Sequence, residues 1–123
     1  VIMDSQTADI YNPKVIRSTM GAVFRVPFVY VEDLKAALLQ LKDHGVHLYA
    51  AHLKGQNPYD QEDYTESTGF LIGNEAQGLS DEIASLADTY VKIPMAGSVE
   101  SLNAAIASSV LMFEVARQRR NQK

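Results

Sequence analysis

Residues 93–119 read IPMAGSVESLNAAIASSVLMFEVARQR, and no other stretch restricts the fold as strongly. Tyr90 to Ile93 is a short β-branched and aromatic run, which predicts a buried strand. Pro94 to Glu100 is a tight polar loop containing Gly97 and Ser98, and Ser98 or Ser101 is placed to cap a helix beyond it. Leu102, Ala105, Ile106, Ser109, Phe113 and Ala116 then recur at three- and four-residue spacing, which predicts a long helix burying that face. A strand, a polar turn and a helix form an anion- or cofactor-binding corner in many α/β folds. Here Ser98, Glu100, Ser101 and Asn103 crowd the helix start, where unpaired backbone N–H groups also point.

The rest of the chain alternates in the same way. Val1 to Asp4 predicts a strand end. Asn12-Pro13 opens a short helix to about Met20, with Gly21 ending it. Val23 to Val26 is a candidate strand closed by Pro27. Glu32 to His44 is an amphipathic helix with Leu34, Leu38 and Leu41 on one face and Gly45 after its end. Val46 to Leu53 predicts a strand, residues 54–67 a polar loop, and Gly69 to Ile72 another strand. Residues 73–78 form a turn, and Ser80 to Leu86 a short helix. Strands alternating with helices predict an α/β domain, a mostly parallel sheet with helices on both faces. At 123 residues this is one domain, 1–123, with a modest core.

Composition narrows the chemistry. The chain has no cysteine, which removes disulfides and thiolate chemistry and fits the cytoplasm. No apolar run approaches the ~20 residues that span a bilayer. The net charge is −4, whereas a general nucleic-acid binder is basic. Positive charge is nonetheless local. Lys14, Arg17 and Arg25 lie near the start, and Arg117, Arg119, Arg120 and Lys123 near the end. Such clusters can contact phosphates on an acidic protein, and a basic C-terminus equally complements a helix dipole.

The loop Gly73-Asn74-Glu75-Ala76-Gln77-Gly78 comes after a strand and before a helix, where parallel sheets hold ligands. It is neither a dinucleotide fingerprint nor a phosphate-binding P-loop, and a plain turn accounts for it equally. Glu75 within it can orient a hydroxyl or merely face solvent. His44, His47 and His52 form no metal-ligand set. Ser101 lacks a nucleophile elbow. Met95 and Met112 are expected in the core or a pocket lining.

Three ordered segments carry a resemblance: NPKVIRSTMGAVFRVP (12–27), FLIGNEAQGLSDEI (70–83) and VKIPMAGSVESLNAAIASSVLMFEVARQR (91–119). Together they are similar to the SpoU branch of the SPOUT methyltransferases, which transfer a methyl group from S-adenosylmethionine to a ribose 2′-oxygen of RNA. The resemblance implies a deep C-terminal trefoil knot, a rare exception to unthreaded chains. It also implies a homodimer, with tRNA or rRNA as partner and neither membrane nor metal. The family holds its cofactor in three loops, which here begin near Ala51, at Gly73 and at Ile93. Ala51, Gly73, Ile93 and Leu102 match cofactor positions, and Pro94, Met95, Gly97 and Ser98 the same pocket wall. Glu75, Ser101, Asn103 and Arg119 match positions supporting catalysis or substrate contact. Two departures stand out. Ala76 replaces a frequent glycine, and the family's first motif, with its activating arginine, is not found before Val1. That predicts a chain lacking its N-terminal motif and poorly active alone. A knotted RNA-binding or dimerisation module without catalysis is the alternative, and a generic nucleotide-binding α/β domain a distant third.

Overall fold

The structure is a computed structural model and describes residues 1–55, 57–74, 77–98 and 102–122. Two compact units divide the chain, residues 1–38 and 39–123.

In the first unit, β1 (Ile2–Met3) and β2 (Val29–Tyr30) form a two-stranded parallel sheet. Between them lies α1 (Pro13–Ser18), opened as expected by Asn12, whose Oδ1 accepts the Lys14 N–H at 2.9 Å. The strand expected at Val23 to Val26 is absent. Met20 and Gly21 adopt positive φ of 50° and 88°, and this left-handed pair turns the chain into a single 3-10 turn, Ala22–Phe24. Pairing waits until Val29 and Val31, whose N–H groups donate to the carbonyls of Val1 and Met3. Helix α2 (Leu34–Asp43) leads into the second unit. It begins later than Glu32 because Asp33 caps it, accepting the Ala36 N–H on its side chain at 3.1 Å.

The second unit holds β3 (His47–Ala51), β4 (Asn57–Pro58), β5 (Thr68–Leu71), α3 (Asp81–Ala84), β6 (Thr89–Lys92) and α4 (Ala104–Arg120). Its strands run in the order β4-β6-β3-β5, every pair parallel. Side chains alternate along β3, yet Leu48, Tyr49 and Ala50 are all buried, so both faces of the sheet are covered. On one face Tyr49, Tyr64, Val91 and Leu111 form the core, with Phe70 and Val115 packed against it.

Strands β3 and β4 are one ascending path that changes sides of β6. Ala51 and Asn57 both pair with Val91, from opposite flanks. The strap between them crosses β6 so closely that a Cβ on Gly55 would lie 2.7 Å from the Val91 carbonyl carbon. The expected loop 54–67 is therefore partly ordered. It supplies β4, a 3-10 turn at Tyr59–Gln61, and the fully buried Tyr64, whose hydroxyl donates to the Tyr59 carbonyl.

Helix α4 corrects the sequence in two respects. Its N-cap is Asn103 rather than Ser98, and Ser101 lies outside the described residues. Its buried face is Ala104, Ala107, Leu111, Glu114 and Gln118, whereas Ile106, Met112 and Phe113 are 54%, 58% and 74% exposed. Both stripes have helical spacing. Tyr49, Tyr64 and Phe70 fill the space beneath α4, and Leu111 and Val115 pack against them. Met112 is thus a surface residue, while Met95 is half-buried.

Candidate functional site

The strand ladder stops at Ala51, Leu71 and Lys92, and the loops beyond converge at the carboxyl ends of β3, β5 and β6. Together with Leu102 and the first turn of α4 they enclose a cleft of about 630 Å³. That size lies within the usual range for small-molecule sites. Residues 51–53, 72–74, 77–79 and 91–95 line it, with Leu102, Ala104 and Ala107. Ile72, Leu79, Ile93, Met95 and Leu102 give it apolar walls. Its charged and polar side chains are His52, Lys92, Asn74 and Gln77, and none of the described lining residues is acidic.

Each wall has a local cause. Gly73 lies against the Gly78–Leu79 peptide, and a Cβ there would come within 2.2 Å of the Gly78 carbonyl carbon. The turn closes on itself: Asn74 accepts the Gly78 N–H on its carbonyl at 2.8 Å and the Gln77 N–H on Oδ1 at 2.7 Å. Gly78 takes a positive φ of 64°, which favours glycine. The first wall is fixed by the strap, where the His52 N–H donates to the Val91 carbonyl at 3.0 Å.

Of the residues predicted to hold a ligand, Ala51, Gly73, Ile93, Pro94, Met95 and Leu102 meet in this cleft. Gly97 and Ser98 do not; they form an exposed turn in which Gly97 has a φ of 77°. Glu75 and Ser101 lie outside the described residues. Asn103 directs its Oδ1 to the helix, accepting the Ala105 and Ile106 N–H groups at 2.9 and 3.3 Å. Arg119 is not part of the cleft: its Nε donates to the Tyr64 carbonyl at 3.2 Å and its Nη2 to the Glu66 carbonyl at 2.9 Å. Arg117 is bound to Glu114 at 2.7 Å. Two cations of the basic C-terminus are thus bonded to groups of their own chain. Sequence reasoning missed His52 and Lys92 in the lining. Their position next to Ala51 and Ile93 was the available signal.

A second hollow of about 610 Å³ runs along the outer face of α4, between Tyr59, Ile106 and Phe113. It shares no lining residue with the cleft at the strand ends. Its acid, Glu114, is already paired with Arg117.

The family model of the SpoU rRNA Methylase family matches residues 1–113. The chain belongs to the SpoU rRNA methylase family. A Staphylococcus epidermidis protein named as a TrmH family tRNA/rRNA methyltransferase is 34% identical over 119 residues, 97% of this chain and 48% of the relative. The SpoU methyltransferase AviRb of Streptomyces viridochromogenes, solved in complex with AdoMet, shares the fold with a TM-score of 0.90 and 36% identity. That match covers 98% of this chain and 50% of the other. An AdoMet-bound rRNA methyltransferase of Sinorhizobium meliloti matches with a TM-score of 0.85 and 32% identity over 99% of this chain and 46% of its own. The chain spans about half the length of these relatives.

Proposed function

We propose that the chain is the cofactor-binding domain of an S-adenosylmethionine-dependent RNA ribose 2′-O-methyltransferase, acting on tRNA or rRNA in the cytoplasm. The observation that carries this is the cleft where three loops and the start of α4 meet, in a chain that shares its fold with AdoMet complexes. The lining fits such a ligand. It is apolar enough for a purine and lacks a described carboxylate, while the ladder's end leaves backbone groups for polar edges. When bound, S-adenosylmethionine supplies an electrophilic methyl group on a sulfonium sulfur.

The protein's part is to position the reactants and exclude water, which supplies much of the acceleration in a displacement of this kind. Ile72, Leu79, Ile93 and Leu102 bury the site, and Gly73 with Gly78 sets the wall between them. The ribose hydroxyl must lose a proton to a positioned base. We assign Glu75, Ser101 and Asn103 to the ribose side. Asn103 does so through the helix start that it caps, and Arg119 braces residues 64–66.

The strap over β6 supports a trefoil knot, in which the segment after β6 threads beneath residues 52–55. The exposed apolar face of α4 supports a homodimer. Isothermal titration with S-adenosylmethionine tests the cofactor assignment, with saturable binding as the expected result. A chain that binds neither the cofactor nor its demethylated product refutes it and leaves a knotted dimerisation or RNA-binding module.

A further inference from the structure

His52 is held at every polar atom but one. Its backbone N–H donates to the Val91 carbonyl at 3.0 Å, and its own carbonyl accepts the Gly55 N–H at 2.9 Å. The Lys54 N–H donates to Nδ1 at 3.1 Å. The ring stacks on Tyr90, with centroids 5.1 Å apart and planes 26° from parallel. The imidazole is therefore fixed in place at the edge of the cleft that it lines. Because Nδ1 is an acceptor, the neutral ring carries its proton on Nε2. Nε2 has no partner among the described residues.

From these constraints we infer that His52 is a specificity residue for the cleft ligand: a neutral, preoriented Nε2–H donor to an acceptor on its adenosine half. This rests on the function proposed above. Charge decides between the two halves of the ligand. A cationic ring would carry a proton on Nδ1 as well and so would surrender the Lys54 bond. It would also set a cation beside a sulfonium, with Lys92 already in the lining. A neutral donor matches a neutral ring nitrogen or ribose oxygen, and preorientation keeps the ordering cost of that bond low.

Two substitutions separate this role from the structural ones. His52→Asn keeps an oxygen for the Lys54 N–H, as in an Asx turn, and loses the reach of Nε2. His52→Phe keeps the stack on Tyr90 and loses both nitrogens. Each variant is titrated with S-adenosylhomocysteine and with methylthioadenosine, which lacks the amino-acid end, and its thermal midpoint is recorded. Both variants should bind both ligands about tenfold more weakly, the worth of one hydrogen bond. His52→Asn should melt close to the original chain. Retained affinity in the Phe variant would reduce the role to stacking, and retained affinity in the Asn variant would reduce it to bracing the strap. A loss confined to S-adenosylhomocysteine would move the acceptor to the amino-acid end. Any of these overturns the inference while the cofactor assignment stands. An original chain that binds neither ligand overturns both.

Discussion

At residue 73 one hydrogen atom separates a formed cleft from a displaced one. Gly73 has no positive φ to justify it; its reason is space, since a methyl group would meet the Gly78–Leu79 peptide at 2.2–2.3 Å. Backbone cannot yield as a flexible side chain can. Gly73→Ala should therefore cost about 1–3 kcal/mol, the range of overpacking a tight interior. It should also weaken S-adenosylmethionine binding by more than tenfold, because the Gly78–Leu79 wall of the cleft must move. Urea denaturation and calorimetric titration measure the two effects, and unchanged affinity would detach this turn from the site. Glu114 makes a different prediction. Hydrogen bonds from Arg117 Nε and Nη2, at 2.9 and 2.7 Å, outweigh burial and, with a bond from Gln118, pull its carboxyl from 4.5 down to about 2. The unfolded chain takes up this proton near 4.5, the folded chain near 2. Between those values the unfolded state binds more protons, so stability falls as pH falls. The contribution is fully present above 4.5 and gone below 2. In Glu114→Gln the urea midpoint should decline less across that window than in the original chain.

At the scale of the element, α4 carries two apolar stripes, and substitution tells them apart. Leu111 is fully buried against Tyr49, Tyr64 and Val91, so Leu111→Ala should cost about 2–5 kcal/mol. Phe113 is 74% exposed, so Phe113→Ala should leave the stability of the isolated chain within about 0.5 kcal/mol. Equal costs in thermal or urea unfolding would show that the faces are misassigned. The same helix shows what the sequence could and could not convey. Helix period, the cap at Asn12, and the strands near Val46, Gly69 and Tyr90 were legible because local patterning decides them. The choice of stripe was not, because it depends on what the sheet presents beneath: Tyr64 comes from a segment that reads as a polar loop. Residues 57–58 were unreadable as a strand, since their pairing with β6 is made only after the strap has crossed it. For the site, the resemblance named Ala51, Gly73 and Ile93 beside the strand ends, and all three line the cleft. The cap at Asn103 was open to reading from residue type, as at Asn12, but Ser98 and Ser101 competed for it in the sequence, and the hold of Arg119 on two carbonyls leaves no trace in residue type.

At the scale of the whole molecule, the stripe that α4 turns outward is where the proposed homodimer can be tested. Ile106, Met112 and Phe113 rise from one helix beside a hollow of about 610 Å³, with Tyr59 as its opposite wall. Large side chains grouped in this way mark an association surface more often than a solvated one. A second copy of this chain is the occupant proposed above, because in a twofold contact the same patch serves both sides. The rim suits it as well. Arg117 and Arg120 border the hollow, and Arg117 keeps its charge on Glu114 within its own chain, so no unpaired acid is buried when the surfaces meet. Phe113→Glu would then place a carboxylate in the centre of that contact on both copies at once. Sedimentation equilibrium should give twice the 13.6 kDa chain mass for the original and a single chain mass for the variant, with circular dichroism unchanged. Because Phe113 lies outside the cofactor cleft, a variant that becomes monomeric and still binds S-adenosylmethionine would show that association and cofactor binding are separate properties of this domain. An original chain that sediments as a monomer at tens of micromolar would assign the exposed stripe to something other than itself.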